Sequence, residues 1–175
     1  SALSVLYIVL PILAVSLCHA LEVVFTARRW ASHHSASSDE AHQSLVNILF
    51  RLSGMNMSAL VIAAVVGFLA VLLSTTALFA GGLWAELVWT TVFMAYSVCS
   101  LINIVRAVTL KGYVPGLVTS IISVPLIAYA AYSLSLVWPW WEMLLFAILG
   151  LVLALANLYF AQRLGQRQTS KSTKN

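Results

Sequence analysis

The chain has 175 residues, 62% of them hydrophobic and only 8% charged, with a formal net charge of +4. Soluble domains carry roughly 45–50% apolar and about 25% charged residues, so a water-soluble domain is excluded and lipid is the solvent for much of the chain. The basic residues lie at the ends of apolar blocks and no nucleic-acid motif is present, which excludes nucleic acid and leaves the bilayer, with its anionic headgroups, as the partner.

The first apolar block, about residues 3–25, is long enough to span and contains Pro11, which removes one backbone donor from the helix. His19 and Glu22 fall near its far end, and Arg28, Arg29 and Trp30 close it. Residues 26–56 hold a polar loop and a short helix, and Ala27 to Gln43 is the one long polar run between apolar blocks. Ala31 to Glu40 is rich in serine and charge and reads as a solvated loop. Leu45, Ile48, Leu49 and Leu52 then recur at helical spacing, which predicts a short amphipathic helix in the interface, with Asp39 as its N-cap.

The second block, 57–80, places Ala63 and Gly67 four residues apart, a spacing that lets another backbone approach. Its Ser74, Thr75 and Thr76 are expected to bond back to their own helix. Gly81 and Gly82 make a tight turn into the third block, 84–108, which opens with Glu86 and ends with Asn103 and Arg106. A short loop containing Lys111, Gly112, Pro115 and Gly116 leads to the fourth block, 117–137, the most polar of the spans. The fifth block, 143–161, again spaces small residues four apart at Gly150 and Ala154. Residues 163–175 read as a polar, basic, frayed tail. The fold class expected is an all-α integral membrane protein with five transmembrane helices plus a short interfacial amphipathic helix.

Charge sets the expected orientation. With residues 26–56 inside, all nine Lys and Arg residues face inward and none lies in the outer segments, as the positive-inside rule requires. The amino terminus is then outside and the carboxyl terminus cytoplasmic, in a plasma or bacterial inner membrane. Trp84, Trp89, Trp138, Trp140 and Trp141 map to the outer boundary and Trp30 to the inner one, where indole prefers to sit. Glu86 and Glu142 fall near helix starts, where the dipole favours negative charge. Cys18 and Cys99 lie singly in apolar blocks and read as small buried hydrophobes.

Chemistry concentrates at His19 and Glu22, which share a helix face at i and i+3. Ionisable groups inside a span are costly and demand a partner. Arg106 reaches a similar depth, so the expected intramembrane network is His19, Glu22, Asn103 and Arg106, with a Glu22–Arg106 pair at its centre. His33, His34, Asp39, Glu40 and His42 match no defined metal site, and no metal is assigned. The sequence requires no cofactor; His19 is the one candidate ligand for haem or quinone. Catalytic motifs are absent. The leading functional expectation is therefore a non-catalytic membrane subunit, associating with other membrane subunits or with itself through its small-residue faces. The alternatives are a small transporter or channel with a polar path near Glu22, Asn103 and Arg106, and an electron-transfer subunit using His19.

Overall fold

The computed structural model describes residues 2–34, 57–172 and 174, and the expected interfacial helix over 41–52 lies outside them. The described residues form five helices and no strand: α1 (Ala2–His34), α2 (Met57–Ala80), α3 (Leu83–Leu110), α4 (Leu117–Ser135) and α5 (Trp140–Ser172). Each contains a segment long and apolar enough to cross a membrane. Leu73, Phe79, Ile121, Leu145 and Val152 all stand more than half exposed, as lipid-facing side chains do and a water-soluble core would not. The protein is an all-α integral membrane bundle.

Two helices run past their apolar blocks. α1 continues through Arg28, Arg29 and Trp30 to His34. α5 continues to Ser172, where the sequence suggests a frayed tail. Nothing in 163–172 except Gly165 opposes a helix, and that glycine is buried against the Ala59 backbone of α2, where an added Cβ would lie 3.0 Å from the amide nitrogen. The tail therefore begins its life as packed helix.

Around the bundle the helices follow the order α1, α2, α5, α3, α4, with α2 and α3 also touching across the middle. Connections are short on the described side: Gly81 and Gly82, at φ 83 and 104, turn α2 into α3, and residues 111–116 join α3 to α4. These two connections define the two ends of the molecule, called here the Gly81 end and the Lys111 end. Near the Gly81 end, Val9, Ile12, Val71, Trp89, Phe93 and Ala130 form one apolar cluster. Near the Lys111 end, Val23, Ala27, Trp30, Leu60, Ala107 and Val114 form another.

The small-residue faces are used inside the bundle. A Cβ on Gly150 would come within 2.6–2.8 Å of the Met94 side chain and the Met94–Ala95 backbone, so α5 and α3 cross at van der Waals contact of their main chains. On α2, the Ala63 carbonyl accepts a hydrogen bond from Asn157 Nδ2 of α5 at 3.1 Å. Of the three hydroxyls expected to bond back in α2, Ser74 and Thr76 do so, whereas the buried Thr75 hydroxyl has no hydrogen-bond partner. Cys18 is exposed rather than buried, because it falls on the lipid side of α1.

Candidate functional site

The polar residues of three helices meet at the Lys111 end. α3 stops at Lys111, in the left-handed conformation at φ 55, with its N–H closing on Ala107 and Val108. The chain then passes Tyr113, the fully buried Val114 and Pro115 to reach Gly116. Gly116 also has positive φ, 89, and is the N-cap of α4, yet glycine offers no side chain to satisfy the first amides.

Glu22 of α1 supplies what is missing. Its Oε2 accepts from the Gly116 N–H at 2.8 Å, from the Tyr113 hydroxyl at 2.6 Å and, more distantly, from the Val118 N–H at 3.4 Å. Its Oε1 accepts from the Thr119 N–H at 2.8 Å. A carboxylate from another helix thus caps α4, at the positive end of its dipole. The Trp30 indole fastens the same loop by donating to the Tyr113 carbonyl at 2.9 Å.

His19 sits one turn earlier on α1 and closes over Gly116. A Cβ on that glycine would lie 2.5 Å from His19 Cε1 and 3.1 Å from Asn103 Nδ2, so only glycine fits, both for space and for φ. His19 Nδ1 is 3.0 Å from the Thr119 hydroxyl oxygen. The same hydroxyl donates to the Gly116 carbonyl at 3.2 Å, so His19 and Thr119 together close over the glycine.

Further along α4 the polar residues continue inward. Asn103 Nδ2 donates to Ser120 at 3.2 Å. Ser123 donates to the Thr119 carbonyl at 2.6 Å, which makes the Tyr96 hydroxyl the donor in its 2.6 Å contact with Ser123. The Tyr96 ring meets His19 edge-on at 6.1 Å. In its first two turns the polarity of the fourth span is turned inward, with Thr119, Ser120 and Ser123 all buried, whereas Tyr129 and Tyr132 farther along are exposed.

The four residues expected to form one network fall into two groups. His19 and Glu22 both bind the start of α4. The Glu22–Arg106 pair at the centre of that expectation is replaced by capping, since the carboxylate's hydrogen bonds go to Tyr113, Gly116, Val118 and Thr119. Arg106 is buried with its guanidinium 5.9 Å from the Trp30 ring centre. Asn103 lies between the groups, touching Ser120 on one side and the His19–Gly116 contact on the other.

Arg106 faces a cavity of about 160 Å³ that lies between the two apolar clusters. Its walls are mostly apolar, with Phe68, Val71 and Val92 toward the middle of the bundle and His19, Asn103 and Arg106 toward the Lys111 end. Tyr96, Cys99 and Asn157 also line it, and Glu22 does not. Among the described residues, no group of three or more His, Cys, Asp or Glu side chains is placed to hold a metal ion.

The tryptophans divide as well. Trp84 and Trp140 are about 80% exposed and Trp141 about half exposed, with Trp138 edge-on to Phe146. Trp89 and Trp30 are not interface anchors: both are buried, Trp89 stacked on Phe93 in one cluster and Trp30 in the other. Trp89 lies more than a turn inside α3, and its ring finds helix rather than headgroup. Glu86 and Glu142 do fall in the first turns of α3 and α5.

Sequence reasoning missed Tyr113, Gly116 and Thr119 as the partners of Glu22. The signal available was Pro115-Gly116 directly before a span with no acid or hydroxyl at its own N-cap. Outside the chain itself, no curated protein and no solved structure matches it. A family model does, over residues 10–131, more than two thirds of the length, described as "protein of unknown function with HXXEE motif". The pattern falls on His19-Ala20-Leu21-Glu22-Val23. The histidine and first glutamate are present, and the last position holds Val23, which is buried in the apolar cluster at the Lys111 end. The chain belongs to the HXXEE family.

Proposed function

We propose that the protein binds a small ligand inside its helical bundle, as a carrier or intramembrane receptor, and that His19 and Glu22 serve this by fixing one wall. The observation that carries the reading is the cavity, apolar toward the bundle centre and polar at Arg106, Asn103 and His19. Ligand sites have this form: mostly apolar walls with a few polar groups that set orientation. His19 and Glu22 hold the loop and the first turn of α4 against α1, and Asn103 reaches from the cavity to that turn through Ser120.

This departs from the reading as a subunit of a membrane complex or homo-oligomer. Gly150 packs directly against the α3 main chain and the Ala63 carbonyl accepts from Asn157 of α5, so these small-residue positions are occupied within the same chain. A haem on His19 has less support, because a porphyrin is far larger than the cavity. The transporter reading keeps Asn103 and Arg106 and loses Glu22, whose carboxylate is engaged by α4.

For orientation, the basic residues of the described helices gather toward the Lys111 end, which we place on the cytoplasmic side, with the amino terminus outside. Trp84, Trp138, Trp140 and Trp141 would then anchor the opposite interface.

Native mass spectrometry of the protein released from mild detergent tests the binding reading. A small molecule retained by the wild-type chain and lost in Gly67→Leu supports it. Gly67 lines the cavity, and a Cβ there meets only Asn157 Nδ2 at 4.0 Å, so the leucine enters open space and gains about 1 kcal/mol of helix propensity. A chain that instead copurifies only as part of a defined complex, with nothing retained in the cavity, returns the subunit reading.

A further inference from the structure

We propose that the ligand is a small uncharged amide, with its head at the side chains of Asn103 and Asn157 and its apolar body against Phe68, Val71 and Val92; this rests on the cavity being a binding site. Three observations choose the class. The first is unused hydrogen-bonding capacity. A carboxamide offers two N–H hydrogens and a carbonyl oxygen. Asn157 of α5 gives one hydrogen to the Ala63 carbonyl, which can only accept, so its nitrogen and oxygen are told apart. Asn103 of α3, buried at 9% exposure, gives one hydrogen to Ser120. Neither oxygen accepts a hydrogen bond from any described residue. Each amide therefore keeps one donor and one acceptor at the cavity wall. Buried amides are ordinarily satisfied, and a ligand that brings the complementary pair of functions satisfies both.

The second is depth. α3 and α5 run the same way, since Gly150 meets α3 at Met94–Ala95 while Gly165 meets the start of α2 at Ala59, toward the Lys111 end. Asn157, seven residues past Gly150, is therefore level with residues 101–102, within about 3 Å of helix rise of Asn103. Two carboxamides on different helices thus border the cavity at one level. Between them they leave two donors and two acceptors. A primary amide answers with two N–H hydrogens and two lone pairs, whereas a hydroxyl brings a single donor.

The third is charge and size together. Among the described residues lining the cavity there is no Asp or Glu to hold a cation, and Arg106 is already engaged. Recognition falls to neutral groups, and a bare ion would meet a mostly apolar wall at the cost of its hydration. A cavity of about 160 Å³ is close to the roughly 150 Å³ that encloses a benzene ring in a protein interior. A molecule of about six heavy atoms fits within it.

The test is ligand-observed NMR titration of the full chain in phosphatidylcholine nanodiscs at pH 7, against empty nanodiscs, with butanamide, 2-pentanone and butanoate. The three share one skeleton and differ at a single heavy atom. The amide donates and accepts, the ketone only accepts, and butanoate only accepts and is charged. The expected result is butanamide at least tenfold tighter than either of the others, with its binding abolished in Gly67→Leu. In Asn157→Leu, the advantage of butanamide over 2-pentanone should fall below threefold. The ligand comparison on the wild-type chain decides the class even where that variant does not fold. Equal affinities for butanamide and 2-pentanone overturn the amide assignment while leaving the cavity a binding site. Butanoate binding tightest overturns the neutral class in the same way. No binding of any of the three, with the protein folded, overturns the cavity reading and the assignment with it.

Discussion

The two ends of the bundle turn the chain in opposite ways. At the Gly81 end, α2 passes to α3 through two glycines at positive φ, and nothing lies within 4 Å of a Cβ added to either. At the Lys111 end, a single glycine at positive φ is pressed between His19 and Asn103, and a carboxylate from α1 holds the amides that follow it. The first turn depends on local backbone freedom alone. The second is a tertiary structure, built from α1, α3 and α4 together, and its polar groups stand beside the cavity. A turn of the first kind tolerates change; a turn of the second kind transmits it.

Substitution should separate the two ends sharply. Gly116→Ala combines left-handed strain of about 1–2 kcal/mol with a clash against a hydrogen-bonded ring, and should cost about 3–4 kcal/mol in detergent unfolding. Gly81→Ala carries only the strain and should cost about 1–2 kcal/mol. Equal losses would mean that His19 does not press on Gly116. Glu22→Gln should cost about 1–2 kcal/mol, because the amide keeps one acceptor oxygen and turns an NH₂ toward a backbone donor.

Tyr113→Phe should cost less, about 1 kcal/mol, since Glu22 keeps its backbone partners. It should also alter the alkaline limb. Partial burial and the hydrogen bond donated to Glu22 push the Tyr113 phenol above its ordinary value. A raised folded value means that the contribution is complete below about pH 10, the unfolded value, and is lost as pH rises through the folded one. The wild-type chain should therefore lose stability above about pH 10 more steeply than Tyr113→Phe, in thermal unfolding followed by circular dichroism. Parallel curves would remove the Tyr113–Glu22 bond from the account.

Much of the architecture is legible in the sequence, because span length and apolarity are local properties. The second span, 57–80, coincides with α2, and the turn at Gly81 and Gly82 falls where two adjacent glycines place it. The site is legible only in part. His19 and Glu22 stand out as ionisable groups inside an apolar block, but the partner of a buried charge is a matter of tertiary geometry. Arg106 is the obvious counter-charge by depth, and it loses to backbone amides that carry no sequence signature as donors. The same limit explains Trp30 and Trp89. An indole near a span end reads as an anchor, and helix rotation, which composition does not report, decides that these two face inward.

The measurement that bears most directly on the account is amide hydrogen exchange at Gly116 and Thr119 in lipid nanodiscs, wild type against Glu22→Gln. The Glu86 amide, bonded to the Gly82 carbonyl at the opposite end, serves as internal reference. If Glu22 holds the start of α4, both amides at the Lys111 end should exchange at least tenfold faster in the variant while Glu86 is unchanged. Unaltered exchange at Thr119 in Glu22→Gln would contradict the claim that this carboxylate caps the helix.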